Sequence, residues 1–330
     1  MGSAKSNGII PVFLSYMGCP NQCLFCSQKG VTEDDSQRSF EELDERVMTF
    51  ISSRSNRSNS SEVSSRRFEI AFYGGTFTSI PEPMQEAFLR WAYRWVERGS
   101  VDSIRVSTRP DDLTVDKLQC LARYGVKTIE IGAQSFDDHT LRLNRRSYTS
   151  EDIDRAFGLL KSSPFRVGVH LMTHLYGSSE AIDAQSLSAA LSYRPAFLRL
   201  HPTLVLRHTG LEGLYRERRY RPASLFEGVD GCSDALLLCR SAQTPVARMG
   251  LHIPANRVSE VVAGPYHPAF GDLVSKMADL KELIASERLV DYAGDGLDQK
   301  YREALGSHKG FFAKWFRERS REARHVRARR

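Results

Sequence analysis

The sequence predicts an α/β fold in which helices flank a parallel β-sheet. Short runs rich in β-branched and aromatic residues alternate with amphipathic segments as far as residue 206. Strands separated by helices of this length form right-handed βαβ units. Six such units suit a complete or partial barrel, although a doubly wound open sheet would show the same alternation. A chain of 330 residues is long enough for one large barrel or for two ordinary domains.

The predicted elements follow one another in a regular order. The candidate strands are Ile9–Met17, Phe68–Tyr73, Ser103–Ser107, Thr128–Gly132, Val167–Leu171 and Phe197–Leu206. The candidate helices are Met84–Glu97, Thr114–Tyr124, Ser150–Lys161 and Ala184–Ser192. A polar surface loop is predicted at Ser52–Arg66, a further strand at Met249–Ile253, and mostly helical structure from Phe270 onward. We therefore predict a barrel core in residues 1–210 and a C-terminal extension in residues 211–330.

Positive charge is concentrated at the C-terminus. Residues Lys309–Arg330 include nine basic and two acidic residues, which leaves 37 basic and 38 acidic residues elsewhere. Such a basic tail predicts attraction to nucleic acid or another polyanion, and a solvated terminal helix is the alternative. No run approaches the roughly 18 apolar residues of a membrane span. The sequence also begins without a signal-like segment, so it predicts a cytoplasmic protein with no membrane partner.

Three of the six cysteines lie within eight residues, directly after the first predicted strand. Cys19, Cys23 and Cys26 have the spacing C-x3-C-x2-C. In a cytosolic chain such a group is typical of metal ligands rather than disulfides. Three thiolates in a short loop can bind a [4Fe–4S] cluster and leave one iron open. A structural zinc site is the alternative, but it normally requires four ligands, and no other Cys or His pairs with this loop by spacing.

Further motifs follow the later strands, at the edge where parallel barrels gather their functional residues. Two adjacent glycines after the second strand allow the backbone to approach a ligand closely. An arginine after the fourth strand suits a carboxylate, because its guanidinium can donate two parallel hydrogen bonds. A histidine in the fifth strand is on physical grounds more often a core residue than a ligand. The residues concerned are Gly74, Gly75 and Thr76, then Ser107, Gln134, Arg146 and His170.

With these motifs in this order, the chain resembles the radical S-adenosylmethionine (SAM) superfamily. The cysteine loop, with Phe25 directly before its last cysteine, is similar to that superfamily's signature. The resemblance implies a partial (β/α)6 TIM-like barrel and a [4Fe–4S] cluster bound by the three cysteines. It also implies that SAM chelates the open iron and is reductively cleaved to a 5′-deoxyadenosyl radical. An external electron donor would supply the electron.

Several segments look like those of a subgroup that contains the Elongator catalytic subunit and oxygen-independent coproporphyrinogen III oxidase. The resemblance implies that Phe25 lies near the adenine of SAM. It implies further that the segment Gly74–Thr76 receives the amino group, that Gln134 bonds the ribose and that Arg146 pairs with the carboxylate. Ser107 ends the strand next to that of Gln134, in a pairing typical of the subgroup. His170 stands where the oxidases have Asp, which favours the Elongator-like branch.

The likeness leaves three functional hypotheses. The first is a radical SAM enzyme that modifies a tRNA base, binds tRNA through the basic tail and works with a partner protein. The partner is invoked because the Elongator subunit continues into an acetyltransferase domain for which this chain has no room. The second is a radical SAM enzyme acting on a small molecule such as a tetrapyrrole. The third is a non-catalytic, metal-stabilised nucleic-acid-binding protein. No side chain is assigned as the primary catalyst, because the cofactor carries the difficult chemistry.

Overall fold

Seven parallel strands form one sheet in the computed structural model, which describes residues 8–20, 22–55 and 67–285. The strands of this sheet are, in order, β1 (Gly8–Phe13), β2 (Phe68–Tyr73), β3 (Ser103–Thr108), β4 (Val126–Gln134), β5 (Arg166–Thr173), β6 (Phe197–Pro202) and β8 (Val246–Met249). Two short strands, β7 (Val205–Leu206) and β9 (Val261–Ala263), pair antiparallel beside it. The sheet is curled into an open half-barrel with β1 and β8 at its edges, which confirms the predicted partial α/β barrel.

Helices follow most strands and cover the convex face of the sheet. They are α1 (Gln28–Val31), α2 (Phe40–Ser55), α3 (Glu82–Glu97), α4 (Val115–Arg123), α5 (Asp138–Leu143), α6 (Ser150–Lys161), α7 (Glu180–Ser192), α8 (Gly210–Arg216), α9 (Leu225–Ser241) and α10 (Phe270–Ala285). Local chemistry fixes where some of them begin. Helix α6 starts at a capping box in which Thr149 and Asp152 satisfy each other's backbone N–H groups.

The two faces of the sheet differ in chemistry because strand side chains alternate between them. In β4, Ile129 and Ile131 pack into the main hydrophobic core with residues of the covering helices. Thr128 and Glu130 face the opposite, concave side, where they bond to polar side chains of neighbouring strands. We call this concave side the lumen. The carboxyl ends of all seven strands open at the same edge, and the loops described below gather there.

The predicted elements follow the observed order, but several bounds differ. The predicted strand Ile9–Met17 ends four residues too late, because β1 ends at Phe13 and the chain then enters the cysteine loop. The further strand lies at Val246–Met249, whereas the prediction began it at Met249. The predicted strand Phe197–Leu206 is two strands, because the chain leaves the sheet after Pro202 and re-enters an antiparallel pair at Val205. Helices α1, α2, α5 and α8 were not predicted. Helix α2 extends to Ser55 and so includes the start of the predicted loop at Ser52–Arg66, of which residues 56–66 lie outside the described part.

The predicted C-terminal extension is described only in part. Helix α10 agrees with the helical prediction from Phe270, whereas the basic tail Lys309–Arg330 lies outside the described residues. The domain boundary after residue 210 stays a prediction, and β8 beyond it pairs with β6 of the core. Within the described ranges no helix has the length and apolar character needed to cross a membrane.

Candidate active site

The cysteine loop leaves the carboxyl end of β1 and turns back sharply. Tyr16 and Gly18 both adopt left-handed backbone conformations, with φ of 62° and 70°. A backbone hydrogen bond from Cys26 N to Cys23 O, at 3.1 Å, closes the second part of the loop. Cys19, Cys23 and Cys26 are half-buried, and none of them is in a disulfide. The loop therefore presents three free thiols at the mouth of the lumen.

The cysteine loop interlocks with the segment after β2 through backbone contacts. Thr76 N donates to Met17 O at 2.8 Å, and Thr76 Oγ1 lies 3.5 Å from Cys19 Sγ. A Cβ atom on Gly18 would lie 2.2 Å from Thr76 O, and one on Gly75 would lie 2.2 Å from Met17 O. Real Cβ atoms do not approach backbone oxygens this closely, so both positions require glycine. The glycines thus allow two loops from neighbouring strands to touch.

Arg146 connects the cysteine loop to the end of β4. Its Nη1 donates to Cys23 Sγ at 2.9 Å, its Nη2 to Gly132 O at 2.9 Å and its Nε to Tyr148 Oη at 2.8 Å. Burial alone would lower the pKa of Arg146, but the neighbouring Tyr148 and Cys23 raise that pKa above its usual value. The guanidinium therefore stays charged beside the thiol of Cys23. Three hydrogen bonds of one buried guanidinium thus hold the cysteine loop against the end of β4.

The cysteine loop supplies donors of the type that binds an iron–sulfur cluster, although its three thiols do not converge on one point. In the described ranges no three His, Cys, Asp or Glu side chains are grouped so that they could hold a metal ion. Iron–sulfur clusters are bound by Cys thiolates, so three sulfur donors on one loop suit such a cluster. Burial, reinforced by Cys23, raises the pKa of Cys26 to about 12. Binding of iron to Cys26 therefore has to release a proton.

A chain of polar side chains crosses the lumen next to this loop. Gln134, at the end of β4, has a left-handed φ of 64°, and its Nε2 lies 3.5 Å from His170 Nδ1. His170 Nε2 in turn lies 3.0 Å from His201 Nδ1 on β6. Burial and the nearby Arg199 lower the pKa of His170 to about 3, and burial and His170 lower the pKa of His201 well below its usual value. Both imidazoles are therefore neutral at physiological pH.

Each end of this polar chain has an unused hydrogen-bonding atom. Gln134 Oε1 and His201 Nε2 are buried and have no partner within the described part of the protein. Buried polar atoms are normally hydrogen-bonded, so an unpaired one at a site opening indicates a position for a ligand group. Gln134 Oε1 can accept a hydrogen bond from a hydroxyl, which fits a ribose. The left-handed backbone at Gln134 is a form of strain that clusters at functional sites.

A network of buried charges lies on the lumen face of strands β2, β3, β4 and β6. Arg105 pairs with Glu69 at 2.5 Å and with Glu130 at 2.7 Å. Glu130 also accepts from Arg199 at 2.8 Å and from Tyr73 Oη at 2.9 Å. Burial alone would raise the pKa of Glu130, but the two arginines lower that pKa below its usual range. Arg199 thus links this network to His170 and His201.

The structure brings most of the predicted site residues together. Thr76 contacts Cys19, Arg146 contacts Cys23, and Gln134 lies beside His170. Ser107 borders a crevice that Tyr73 and Gly75 also line. Gly74 has a left-handed φ of 89° where the segment after β2 turns. Phe25 is separate from this group and packs against the apolar cluster of Leu24, Val205, Leu211 and Tyr220.

Other lumen residues were missed by the sequence analysis. They are Glu69, Tyr73, Arg105, Glu130, Tyr148, Arg199 and His201. All except Tyr148 lie in strands, at every second position of otherwise apolar runs. Buried strands that carry a polar residue at each alternate position predict a polar lumen, and this signal was present in the sequence. Tyr148 lies in a loop and carried no comparable signal.

An open cavity adjoins the cysteine loop. It has a volume of about 420 Å³ and is lined by Gln22, Arg145, Arg146 and Ser147. Arg146 therefore borders both this cavity and the thiol of Cys23. A ligand entering the cavity would come close to the cysteine loop without any rearrangement of the sheet.

Comparison with known proteins gives curated relatives of similar sequence. Human Elongator complex protein 3 is 30% identical over 235 residues, which cover 65% of this chain and 42% of the relative. A tRNA uridine(34) acetyltransferase of Dehalococcoides mccartyi is 26% identical over 249 residues, which cover 67% of this chain and 54% of the relative. The chain thus spans about half the length of these curated relatives, or less.

A solved structure supports the same fold. The archaeal Methanocaldococcus infernus Elp3 with an N-terminal deletion superimposes with a TM-score of 0.66 at 20% identity, over 84% of this chain and 63% of that one. A family model described as the Radical_SAM C-terminal domain matches residues 195–279. The model of the radical SAM superfamily matches residues 14–183, just over half of the sequence. By this match, which begins just before the cysteine loop and extends beyond β5, the chain belongs to the radical SAM superfamily and is an enzyme of that superfamily.

Proposed function

We propose that this enzyme binds a [4Fe–4S] cluster through Cys19, Cys23 and Cys26 and acts on a uridine base of tRNA. The observation that carries the cofactor assignment is the convergence of Thr76 and Arg146 on two of the three thiols, at 3.5 Å and 2.9 Å. When bound, the cluster and SAM supply a 5′-deoxyadenosyl radical, with an electron from an external donor. The chain's own residues bind and orient the cofactor and keep water from it.

The residues around the loop offer a separate contact for each part of SAM. The backbone of Gly74, Gly75 and Thr76 would receive the amino group, and Arg146 would pair with the carboxylate. Ser107, Gln134 and His170 would bind the ribose side, where the unpaired Gln134 Oε1 supports a hydrogen bond from a ribose hydroxyl. Phe25 is proposed near the adenine.

The role proposed for Arg146 can be tested with Arg146→Lys. Three donors of the planar guanidinium are used at once, and a lysine ammonium cannot reproduce that fork. We expect the dissociation constant for SAM, measured by equilibrium dialysis on reconstituted protein, to rise roughly tenfold or more, because a hydrogen bond to a charged group contributes about 1.5–3 kcal/mol.

The matched control is Arg145→Lys, which changes the adjacent arginine of the same cavity. Arg145 makes no hydrogen bond to the thiols in the described part of the structure, so its replacement should leave SAM affinity within a factor of about two of that of the parent chain. Iron content is measured in each sample to separate loss of SAM from loss of the cluster. Equal affinity of the parent and Arg146→Lys at equal iron content would exclude the proposed carboxylate contact.

The tRNA assignment rests on the names of the relatives and on charge. Both relatives described above cover about two thirds of this chain, and one is named as a tRNA uridine acetyltransferase. The basic tail Lys309–Arg330 has a net charge of +7, which favours binding to phosphates. Because the chain spans only part of these relatives, we include a partner protein in the proposal as the source of any second reaction step.

Deletion of Lys309–Arg330 tests the tail. We expect tRNA binding at low salt to weaken at least about tenfold, and the dependence of log Kd on log salt to become shallower, because fewer counterions are released. Binding is measured by filter retention over a salt series. The control is a full-length chain in which the two tail glutamates, Glu318 and Glu322, are replaced by glutamine, which should bind tRNA at least as tightly as the parent.

The reaction itself is tested by adding tRNA to the reconstituted chain with SAM and dithionite. We expect 5′-deoxyadenosine formation to increase with tRNA, and mass spectrometry of the digested tRNA to show a changed uridine. If tRNA leaves the rate of 5′-deoxyadenosine formation unchanged and a tetrapyrrole increases it, the small-molecule hypothesis is favoured over the tRNA proposal.

A further inference from the structure

Two arginines lie side by side at the open edge of the half-barrel. Arg199 on β6 is the register partner of Arg248 on β8. Leu198 pairs with Val246 and Arg199 pairs with Arg248, so the register shifts and Ala247 is an extra residue in β8. Such a bulge changes the face of the sheet on which the following side chains lie. Arg248 is thereby placed on the same face as Arg199, which bonds to Glu130 in the lumen.

The two guanidinium groups are not equally neutralised. Arg199 shares Glu130 with Arg105, and its side chain is 21% exposed. Arg248 is exposed and makes neither an ion pair nor a hydrogen bond to any residue in the described part of the chain. Desolvation and the adjacent Arg199 lower the pKa of Arg248. Glu69 and Glu130 carry two negative charges, and Arg105, Arg199 and Arg248 carry three positive ones. This group therefore has one positive charge in excess.

A third donor position lies beside the pair. His201 precedes the end of β6 by one residue, and its ring is close enough for Arg199 and Arg248 to lower its pKa. Its Nε2 is buried and unpaired. His201 Nδ1 is engaged by His170, so Nε2 is the atom left for a ligand. An unsatisfied ring nitrogen next to two guanidinium groups is a site to which an oxygen anion would bind.

We propose that Arg199, Arg248 and His201 form an oxyanion-binding site for the acidic group of the substrate, a phosphate or a carboxylate. Arginine donates two parallel hydrogen bonds to either group, and the excess positive charge favours an anion over a neutral ligand. The site lies across the lumen from the cysteine loop, connected to Gln134 through His170. It thus deepens the proposed function by naming the substrate class, and it rests on that function only for the identity of the substrate.

Chemical footprinting with phenylglyoxal tests the site residue by residue. This reagent attacks the uncharged guanidine, so an exposed arginine without a partner and with a lowered pKa should react readily. The full chain with its reconstituted cluster is treated in chloride, in phosphate and in acetate at equal ionic strength. Modification of Arg248 is then measured by mass spectrometry of chymotryptic peptides. The control residue is Arg123, an exposed arginine at the end of α4.

We expect phosphate to protect Arg248. For a dissociation constant on the order of 1 mM, about 10 mM phosphate should slow its modification roughly tenfold. Arg123 should change less than about twofold. Protection by phosphate alone would assign a phosphate-bearing substrate, and equal protection by acetate would extend the site to carboxylates. Equal rates at Arg248 in all three salts, or equal protection of both residues, would overturn the proposal.

A second measurement keeps this result separate from the SAM chemistry. Phosphate-dependent thermal stabilisation should be present in the parent chain and reduced in Arg248→Gln, whose side chain is exposed and makes no bond that the fold requires. Neither measurement uses SAM or reductant. A failure of SAM cleavage therefore leaves the oxyanion site tested, and a failure of anion protection leaves the cofactor assignment intact.

Discussion

Replacement of Cys23 by alanine should abolish SAM cleavage. The variant and the parent are reconstituted anaerobically with iron and sulfide, reduced with dithionite and supplied with SAM. Cys23 is the middle thiol of the loop, and its sulfur accepts the hydrogen bond from Arg146 at 2.9 Å. With two thiols left the loop cannot bind three irons. We expect 5′-deoxyadenosine, measured by chromatography, to fall at least about 100-fold, and the iron content to fall with it.

Cys120→Ala is the matched control for this experiment. Cys120 is a half-buried cysteine on α4 and makes no hydrogen bond to the loop among the described residues. Its replacement should leave iron content and SAM cleavage near those of the parent. SAM cleavage that persists in Cys23→Ala at parental iron content would contradict the assignment of this cysteine as a ligand. A parent chain that binds zinc instead of iron would contradict the cluster itself.

Replacement of Glu130, the central carboxylate of the lumen, should lower the free energy of unfolding more than replacement of any exposed residue. In Glu130→Gln the shape is kept and the negative charge is lost, which leaves Arg199 without its carboxylate partner and Arg105 with Glu69 only. Breaking a buried ion pair by removing one partner costs about 3–5 kcal/mol. We expect this loss in the free energy of unfolding, measured at neutral pH by urea denaturation.

The control and the pH dependence distinguish the buried network from a general charge effect. Glu86→Gln removes one member of a surface pair with Arg90, and it should leave the stability nearly unchanged. The pKa of Glu130 is lowered by folding, so its contribution is complete above the usual carboxyl pKa and is lost as pH falls through the lower folded value. The difference between parent and Glu130→Gln should therefore shrink below about pH 4. A difference that is constant with pH would contradict the ion-pair explanation.

The strands and their order were predictable because each buried run is short and separated from the next by an amphipathic helix. Helix α6 was predicted at its observed bounds, and the structure shows that Thr149 and Asp152 cap its first turn without any tertiary contact. Strand β8 was displaced in the prediction, because Val246–Met249 is a four-residue edge strand in which buried and exposed positions do not alternate. Such a strand is defined by its pairing with β6 rather than by its own sequence.

The candidate site was predictable to the extent that its residues are close in sequence. The cysteine spacing and the paired glycines are local patterns, and the structure brings them together. The partners of His170 and Arg146 were not predictable in this way. His201 and Cys23 lie 31 and 123 residues away from them, so only the closure of the sheet determines these contacts. The neutral state of both histidines likewise follows from burial, which residue type alone does not reveal.

The close packing at Gly18 and Gly75 affects which part of this protein unfolds first. Among the strands that the structure describes, β1 is at an edge of the sheet and pairs only with β2, so it is held on one side. Edge elements with few partners open first in native-state fluctuations. The loop that follows β1 is held by close backbone contacts with Gly75 and Thr76, beyond the end of β2. A cluster bound by that loop would stabilise the β1 edge of the half-barrel, so we expect loss of the cluster to be accompanied by fraying of the first strand.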